Sequence, residues 1–242
     1  MSLLEGKKAL VTGAAGGIGQ AIVKALQAEG ATVTGSDMAE CNADFSIAGN
    51  LMDTQFCDSL PSKASDLMGG LDVLVNNAGI ITRGDITAAT DEDLQKTMAI
   101  NVEAPFRLCR AAIPIMAEAG GGAIVNTSSC WGVHPGPNHP VYVMSKAAIA
   151  SLTRCLGMDH AHQNIRVNAV CPNEVNTPMI RTGFEMRGLD PDKAIQELNA
   201  SVPLGRIAEP EDIADVIVFL ASDKSRYMCG ALLEVNGGKP VQ

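Results

Sequence analysis

The sequence predicts a single α/β domain of the doubly wound class, a parallel sheet with helices on both faces. Short apolar runs that close on polar or small residues ("KKALVTG", "LDVLVNNAG", "GAIVNTSS", "NIRVNAVCP") alternate with long stretches of helical period. A glycine cluster, "TGAAGGIG", joins the first apolar run to the first helical stretch. No proline- or serine-rich linker, composition break or internal repeat divides the 242 residues, so one domain is expected over 1–242.

Each element follows from local pattern. "KKALVTG" is a strand, and Ile18, Ile22, Val23 and Leu26 then mark one stripe of a helix. "ATVTGS" is the second strand. Between its end near Asp37 and a third run ending near Leu51 lie only about a dozen residues, too few for a crossover helix. A loop or single turn is predicted there. Residues 91–119 and 140–162 carry helical period, and "PEDIADVIVFLASD" is a further helix with Pro210 at its start. "GALLEVNGG" reads as the last strand. Residues 173–205 form a long insertion between the sixth strand and the last helix, expected to close over a ligand at the carboxyl ends of the strands.

Composition narrows the function. The net charge of −9 and the lack of any basic run disfavour nucleic acid and anionic membranes as partners. No apolar run reaches membrane-spanning length, and "MSLLEGKKALVTG" lacks the features of a secretory signal, so a cytoplasmic protein is expected. The seven cysteines are dispersed, as in reduced cytosolic chains, and the four histidines do not join them at metal-ligand spacing; no metal site is predicted.

Three stretches carry chemistry. In Thr12 to Gly19 the glycines let the backbone approach a ligand, and the helix behind them offers free N–H groups to a pyrophosphate. Asp37, ending the next strand, is placed to accept the hydroxyls of an adenosine ribose and to repel a 2′-phosphate. Ala14, Ala15 and Met38 supply no cation for that phosphate, so NAD rather than NADP is expected. Tyr142 and Lys146, four apart, share a helix face, where the lysine is expected to lower the phenol pKa and fit it for proton exchange with an alcohol or carbonyl oxygen. Ser129, at a strand's carboxyl end, is placed to hydrogen-bond the same oxygen. Asn101 interrupts a helical pattern just before Pro105, either as a structural kink or to hold a water that relays protons to Lys146.

The strand–"TGAAGGIG"–helix opening, "NNAG" at 76–79, Asn101, Ser129 and "YVMSK" at 142–146 resemble the short-chain dehydrogenase/reductase family, in order and over essentially the whole chain. The resemblance implies a Rossmann-type domain in which Tyr142 is the acid/base, Lys146 lowers its pKa and binds the nicotinamide ribose, Ser129 positions the substrate oxygen and Asn101 carries the relay water. It implies cofactor contacts at Gly13, Gly17, Ile18, Gly19, Asp37, Asn50, Leu51, Asn77, Ala78, Gly79, Val175 and Thr177, with 77–79 bracing the glycine turn through Thr12. It also implies a homotetramer or homodimer packed through the helices near 103–119 and 140–162. Two positions depart from the family pattern. Asn50-Leu51 replaces an Asp–hydrophobic pair. Asn173 stands where a glycine is usual, leaving the loop conformation there open.

A small-molecule substrate is expected to meet Ser129, Trp131, His134, Asn138 and Arg181, with Glu174, Arg83 and Met186 as further candidates. Trp131 either walls the pocket or packs. The polar set suits a polyol, sugar or hydroxy acid, and the chain is expected to oxidise a secondary alcohol with NAD. The alternatives are a 3-oxoacyl-thioester reductase of the same family and a non-catalytic dinucleotide sensor.

Overall fold

In the computed structural model, which describes residues 2–239, a seven-stranded parallel sheet has the order β3-β2-β1-β4-β5-β6-β7. The strands are β1 (Lys8–Thr12), β2 (Thr32–Asp37), β3 (Phe45–Ala48), β4 (Val73–Asn76), β5 (Gly122–Thr127), β6 (Ile165–Pro172) and β7 (Leu232–Val235). The central strands are apolar throughout because both sheet faces are covered. On one face α1 (Gly17–Ala28) and α9 (Pro210–Ala221) bury the Ile22–Leu26 stripe against Ile213, Ile217 and Leu220. On the other, α2 (Thr54–Met68) and α4 (Ala104–Glu118) pack Leu60, Leu108 and Met116 over Leu10, Leu74 and Ile124. The remaining helices are α3 (Asp91–Met98), the single turn α5 (Cys130–Val133), the long α6 (Pro140–His160), and α7 (Pro178–Glu185) and α8 (Pro191–Ser201) within the 173–205 insertion.

As expected, no helix joins β2 to β3; residues 38–44 cross over in a short irregular loop. The third strand ends at Ala48, earlier than the sequence suggested, and Asn50 and Leu51 lie in the turn that leads to α2. Helix α2 itself is a finding. Its N-cap, Asp53, accepts the Gln55 and Phe56 N–H groups, and its buried stripe is Cys57, Leu60 and Ala64. No described helix is long and apolar enough to cross a membrane.

A buried polar rung lies inside β4 and β5. Asn76 donates to Asn126 at 2.8 Å, which donates to Thr153 of α6 at 2.9 Å. The rung ties α6 to the sheet beneath the carboxyl ends of the strands. The two hydrogen bonds hold β4, β5 and α6 together there, while the Asn76 Oδ1 itself has no partner among the described residues.

Candidate active site

The strand order reverses between β1 and β4, and such a sheet holds ligands outside the carboxyl ends at that point. There the chain leaves β1 through Gly13, at φ 65°, a left-handed conformation that favours glycine. A Cβ on Gly13 would stand 2.8 Å from the Ala78 Cα, so the two loops touch backbone to backbone. Thr12 Oγ1 accepts the N–H groups of Asn77 and Ala78, both at 3.2 Å, while the Asn77 amide donates to the Thr12 and Gly13 carbonyls. A side chain on Gly19 would collide with the Gly13 carbonyl. The N-cap of α1 is Gly16, with no side chain to occupy the first-turn N–H groups.

A cleft of about 340 Å³ runs along this wall, lined by Gly13, Gly17, Ile18, Gly19, Asp37, Asn50, Leu51 and the 77–79 turn. Asp37 accepts from Met38 N–H at 2.7 Å and Ala15 N–H at 3.1 Å, and each carboxylate oxygen keeps a lone pair. None of the residues lining this cleft is a lysine or arginine. Uncovered backbone donors at one end and a carboxylate at the other fit a dinucleotide: pyrophosphate at the helix, ribose at Asp37.

The cleft opens directly into a second, of about 360 Å³, with which it shares Ile18, Asn77, Gly79, Ile80, Thr177 and Met179. Ser129, Trp131, Tyr142, Lys146 and Val175 line this second space. Tyr142 and Lys146 sit one turn apart on α6, with Nζ 5.9 Å from the phenol ring centroid. Nζ donates to the Thr127 carbonyl at 2.8 Å, and Ser128 Oγ donates to the Lys146 carbonyl at 2.8 Å. Ser129 caps α5 by accepting the Trp131 N–H at 3.1 Å. The Trp131 ring stands edge-on to Tyr142 at 6.5 Å and against His139 at 4.6 Å, so it walls the cleft.

The electrostatics correct one expectation. The Tyr142 phenol is pushed above its ordinary value: burial raises it, and the Ser129 hydroxyl and Arg83 only partly offset that. Burial also drives Lys146 down, to about 8. A lysine so desolvated is itself reluctant to hold the charge that would stabilise a phenolate, so its helical spacing alone does not lower Tyr142. Nearby thiols stay neutral, since burial raises Cys171 to about 11 and Cys130 to about 12.

Asn101 lies behind the cleft, in a π-helical turn spanning Ala99–Glu103 between α3 and α4. Pro105 has no N–H to give the Asn101 carbonyl four residues earlier, and the helix widens there. Its amide donates to the Ile80 carbonyl (2.9 Å) and Ser145 Oγ (3.0 Å) and accepts the Ile80 N–H (2.9 Å). Ser145 in turn donates to the Tyr142 carbonyl at 2.7 Å. One side chain thus fastens the 77–80 turn to α6, and one Oδ1 lone pair remains. Asn101→Ala is expected to lower stability by about 2 kcal/mol through the groups left unpaired. Urea unfolding checks this; an unchanged midpoint and slope would remove the fastening role.

Several expected substrate contacts lie elsewhere. His134 meets Glu234 at 3.2 Å, outside the cleft. Asn138 is exposed, with φ 61°, and its carbonyl accepts the Gly84 N–H. Arg181 pairs with Asp192 of α8 at 3.0 Å. Met186 is exposed, 82% accessible, and not among the cleft residues. Asn173 avoids the left-handed region, and its N–H donates to the Val235 carbonyl, so the loss of glycine there is harmless. Glu174 and Arg83 do line the cleft, together with Arg187 and His139, which sequence reasoning missed.

Residues 13–239 match the profile of a family described as enoyl-(acyl carrier protein) reductase. The chain is 38% identical to a 3alpha-hydroxysteroid dehydrogenase of Mediterraneibacter gnavus, covering 97% of both chains. It is 35% identical to the 3-oxoacyl-[acyl-carrier-protein] reductase FabG of Thermotoga maritima, covering 97% of this chain and 98% of that one. With the trans-4-hydroxycyclohexanecarboxylate dehydrogenase of Sinomonas cyclohexanicum it shares 36% identity, over 96% of this chain and 92% of that one. Among solved structures, ligand-free aldohexose dehydrogenase from Thermoplasma acidophilum superposes with a TM-score of 0.93 at 30% identity, over 100% of this chain and 96% of that one.

Proposed function

Because the chain belongs to the short-chain dehydrogenase/reductase family, we propose that it is an NAD-dependent dehydrogenase interconverting a secondary alcohol and a ketone on a small polar molecule. The observation that carries this reading is the continuity of the two clefts: a backbone-lined groove ending on Asp37 leads straight to Tyr142, Lys146 and Ser129. Relatives named for oxidising a ring alcohol bearing a carboxylate and an aldohexose support a polyol, sugar or hydroxy acid.

Bound in the first cleft, a nicotinamide dinucleotide supplies the hydride acceptor. Gly13, Gly17, Ile18 and Gly19 hold its pyrophosphate, Asp37 its adenosine ribose, Asn50 and Leu51 its adenine. Asn77 to Gly79, Lys146, Val175 and Thr177 hold its nicotinamide end. In the second cleft Ser129 fixes the substrate hydroxyl against Tyr142. The carbinol O–H breaks as its proton passes to Tyr142, the carbinol C–H breaks as hydride leaves, and C=O forms. Lys146 passes the proton on, and a water held at the free Oδ1 lone pair of Asn101 continues the relay. The exposed apolar groups Phe106, Met144 and Met158 on α4 and α6 fit the tetramer or dimer contacts expected there.

The test pairs cofactor titration with substrate screening. NADH should bind roughly tenfold or more tightly than NADPH, the worth of a charge-assisted hydrogen bond, and Asp37→Ala should erase the difference. Sugars, polyols and hydroxy acids screened with NAD, followed by NADH absorbance, should reveal turnover. Preference for NADPH together with reduction of acetoacetyl thioesters and of no polyol would replace this reading with the thioester reductase one, which the Thermotoga relative favours.

A further inference from the structure

Besides the catalytic Lys146, a chain of net charge −9 lines its catalytic cleft with two arginines that meet no described carboxylate. Arg107 and Arg110 meet Asp58, Arg181 meets Asp192, and Arg206 meets Asp212. Arg83 and Arg187 meet no carboxylate among the described residues. The one carboxylate lining this cleft, Glu174, is already paired with Lys239 at 2.6 Å.

Both guanidiniums are held in place by the same short backbone. Arg187 Nε donates to the Gly183 carbonyl at 2.9 Å, and its plane lies over the Phe184 ring at 4.9 Å. Its Nη edge is therefore left free. Arg83 packs onto α7 at Gly183, where any Cβ would run into its Nη2. The two charges sense each other, and both add to the burial that depresses His139 beside Trp131. Two like charges brought together at a cleft, pre-oriented and without a counter-ion, lower the energy of an anion placed between them. Planar forked donors match the paired oxygens of an oxyacid, whereas a neutral sugar hydroxyl gains no comparable bond.

We infer that the alcohol oxidised in this cleft carries an oxyanion, a carboxylate or a phosphate monoester, clamped between Arg83 and Arg187 while its hydroxyl lies at Tyr142 and Ser129. The inference rests on the dehydrogenase reading of the same cleft and narrows its substrate to a small anionic hydroxy compound.

Matched pairs test it: a small hydroxy acid against its methyl ester, and a sugar phosphate against the parent sugar, each with NAD. The anionic member should win, and the acid-to-neutral ratio of kcat/KM should fall roughly 10- to 100-fold in Arg83→Gln and in Arg187→Gln, mainly through KM. Whichever pair shows the larger ratio identifies carboxylate or phosphate as the source. A second readout needs no turnover: malonate and inorganic phosphate titrated calorimetrically into protein saturated with NADH, which covers the pyrophosphate site. Binding should be present in the natural chain and lost in the double variant. Neutral alcohols preferred, a ratio unmoved by either substitution, or undiminished anion binding in the double variant would overturn the clamp. Anion binding that needs both arginines, with no alcohol oxidised at all, would keep the clamp and sink the dehydrogenase reading.

Discussion

Tyr142→Phe is expected to lower kcat by about 10³-fold or more while NADH affinity stays within about threefold. The substitution removes one oxygen. The ring remains edge-on to Trp131, and α6 keeps its hold on the sheet through Asn126 and Thr153, since neither contact involves the hydroxyl. No other described residue in this cleft combines a titratable oxygen with contact to Ser129. Glu174 is tied to Lys239, and the thiols of Cys130 and Cys171 are held protonated by burial. The loss should therefore fall on the chemical step and not on folding or cofactor binding. Stopped-flow hydride transfer and a fluorescence titration of NADH separate the two. Retained turnover would mean that another group takes the proton and that the site is misassigned.

What the sequence disclosed and what it concealed divide along physical lines. Thr12, Gly13 and Asn77 were legible because the backbone has few ways to turn from a strand into a helix beside a neighbouring loop, and glycine with a capping hydroxyl is the chain's usual means. The Tyr142–Lys146 pairing was legible because helical spacing dictates it. The sign of the Tyr142 shift was not, because it depends on how much water the fold removes, a property of the assembled walls. Proximity along the chain also misled: His134 and Asn138 follow Trp131 closely, yet the chain turns away after α5 and carries both outward. Arg181 points to α8, whereas Ile180, Phe184 and Arg187, at helical spacing, line the cleft. That spacing was the signal for Arg187, which stands far along the chain from Ser129.

The depressed lysine and raised tyrosine lead to a pH profile whose sign can be worked out. Nζ lies 5.9 Å from the phenol ring centroid, and with Tyr142 raised the first proton of the two is lost from Lys146. Lys146 sets where that loss begins, near pH 8, since Tyr142 alone would hold its proton beyond its ordinary value. Alcohol oxidation needs the pair already short of one proton, so that it can take the substrate's. Below about pH 8, kcat/KM for oxidation should rise about tenfold per pH unit, and above it should level off; ketone reduction, which needs the proton present, should be level below about pH 8 and fall about tenfold per unit above it. Lys146→Met removes the group that yields first and leaves a buried phenol whose ionisation only Ser129 and Arg83 ease. Its oxidation profile should then still be climbing above pH 10, where an ordinary phenol would already have ionised. Rates taken in overlapping buffers, with folding checked by circular dichroism at each end, would decide the matter. An inflection near pH 8 that survives in Lys146→Met would mean that the proton leaves from elsewhere, with a substrate group the first to examine.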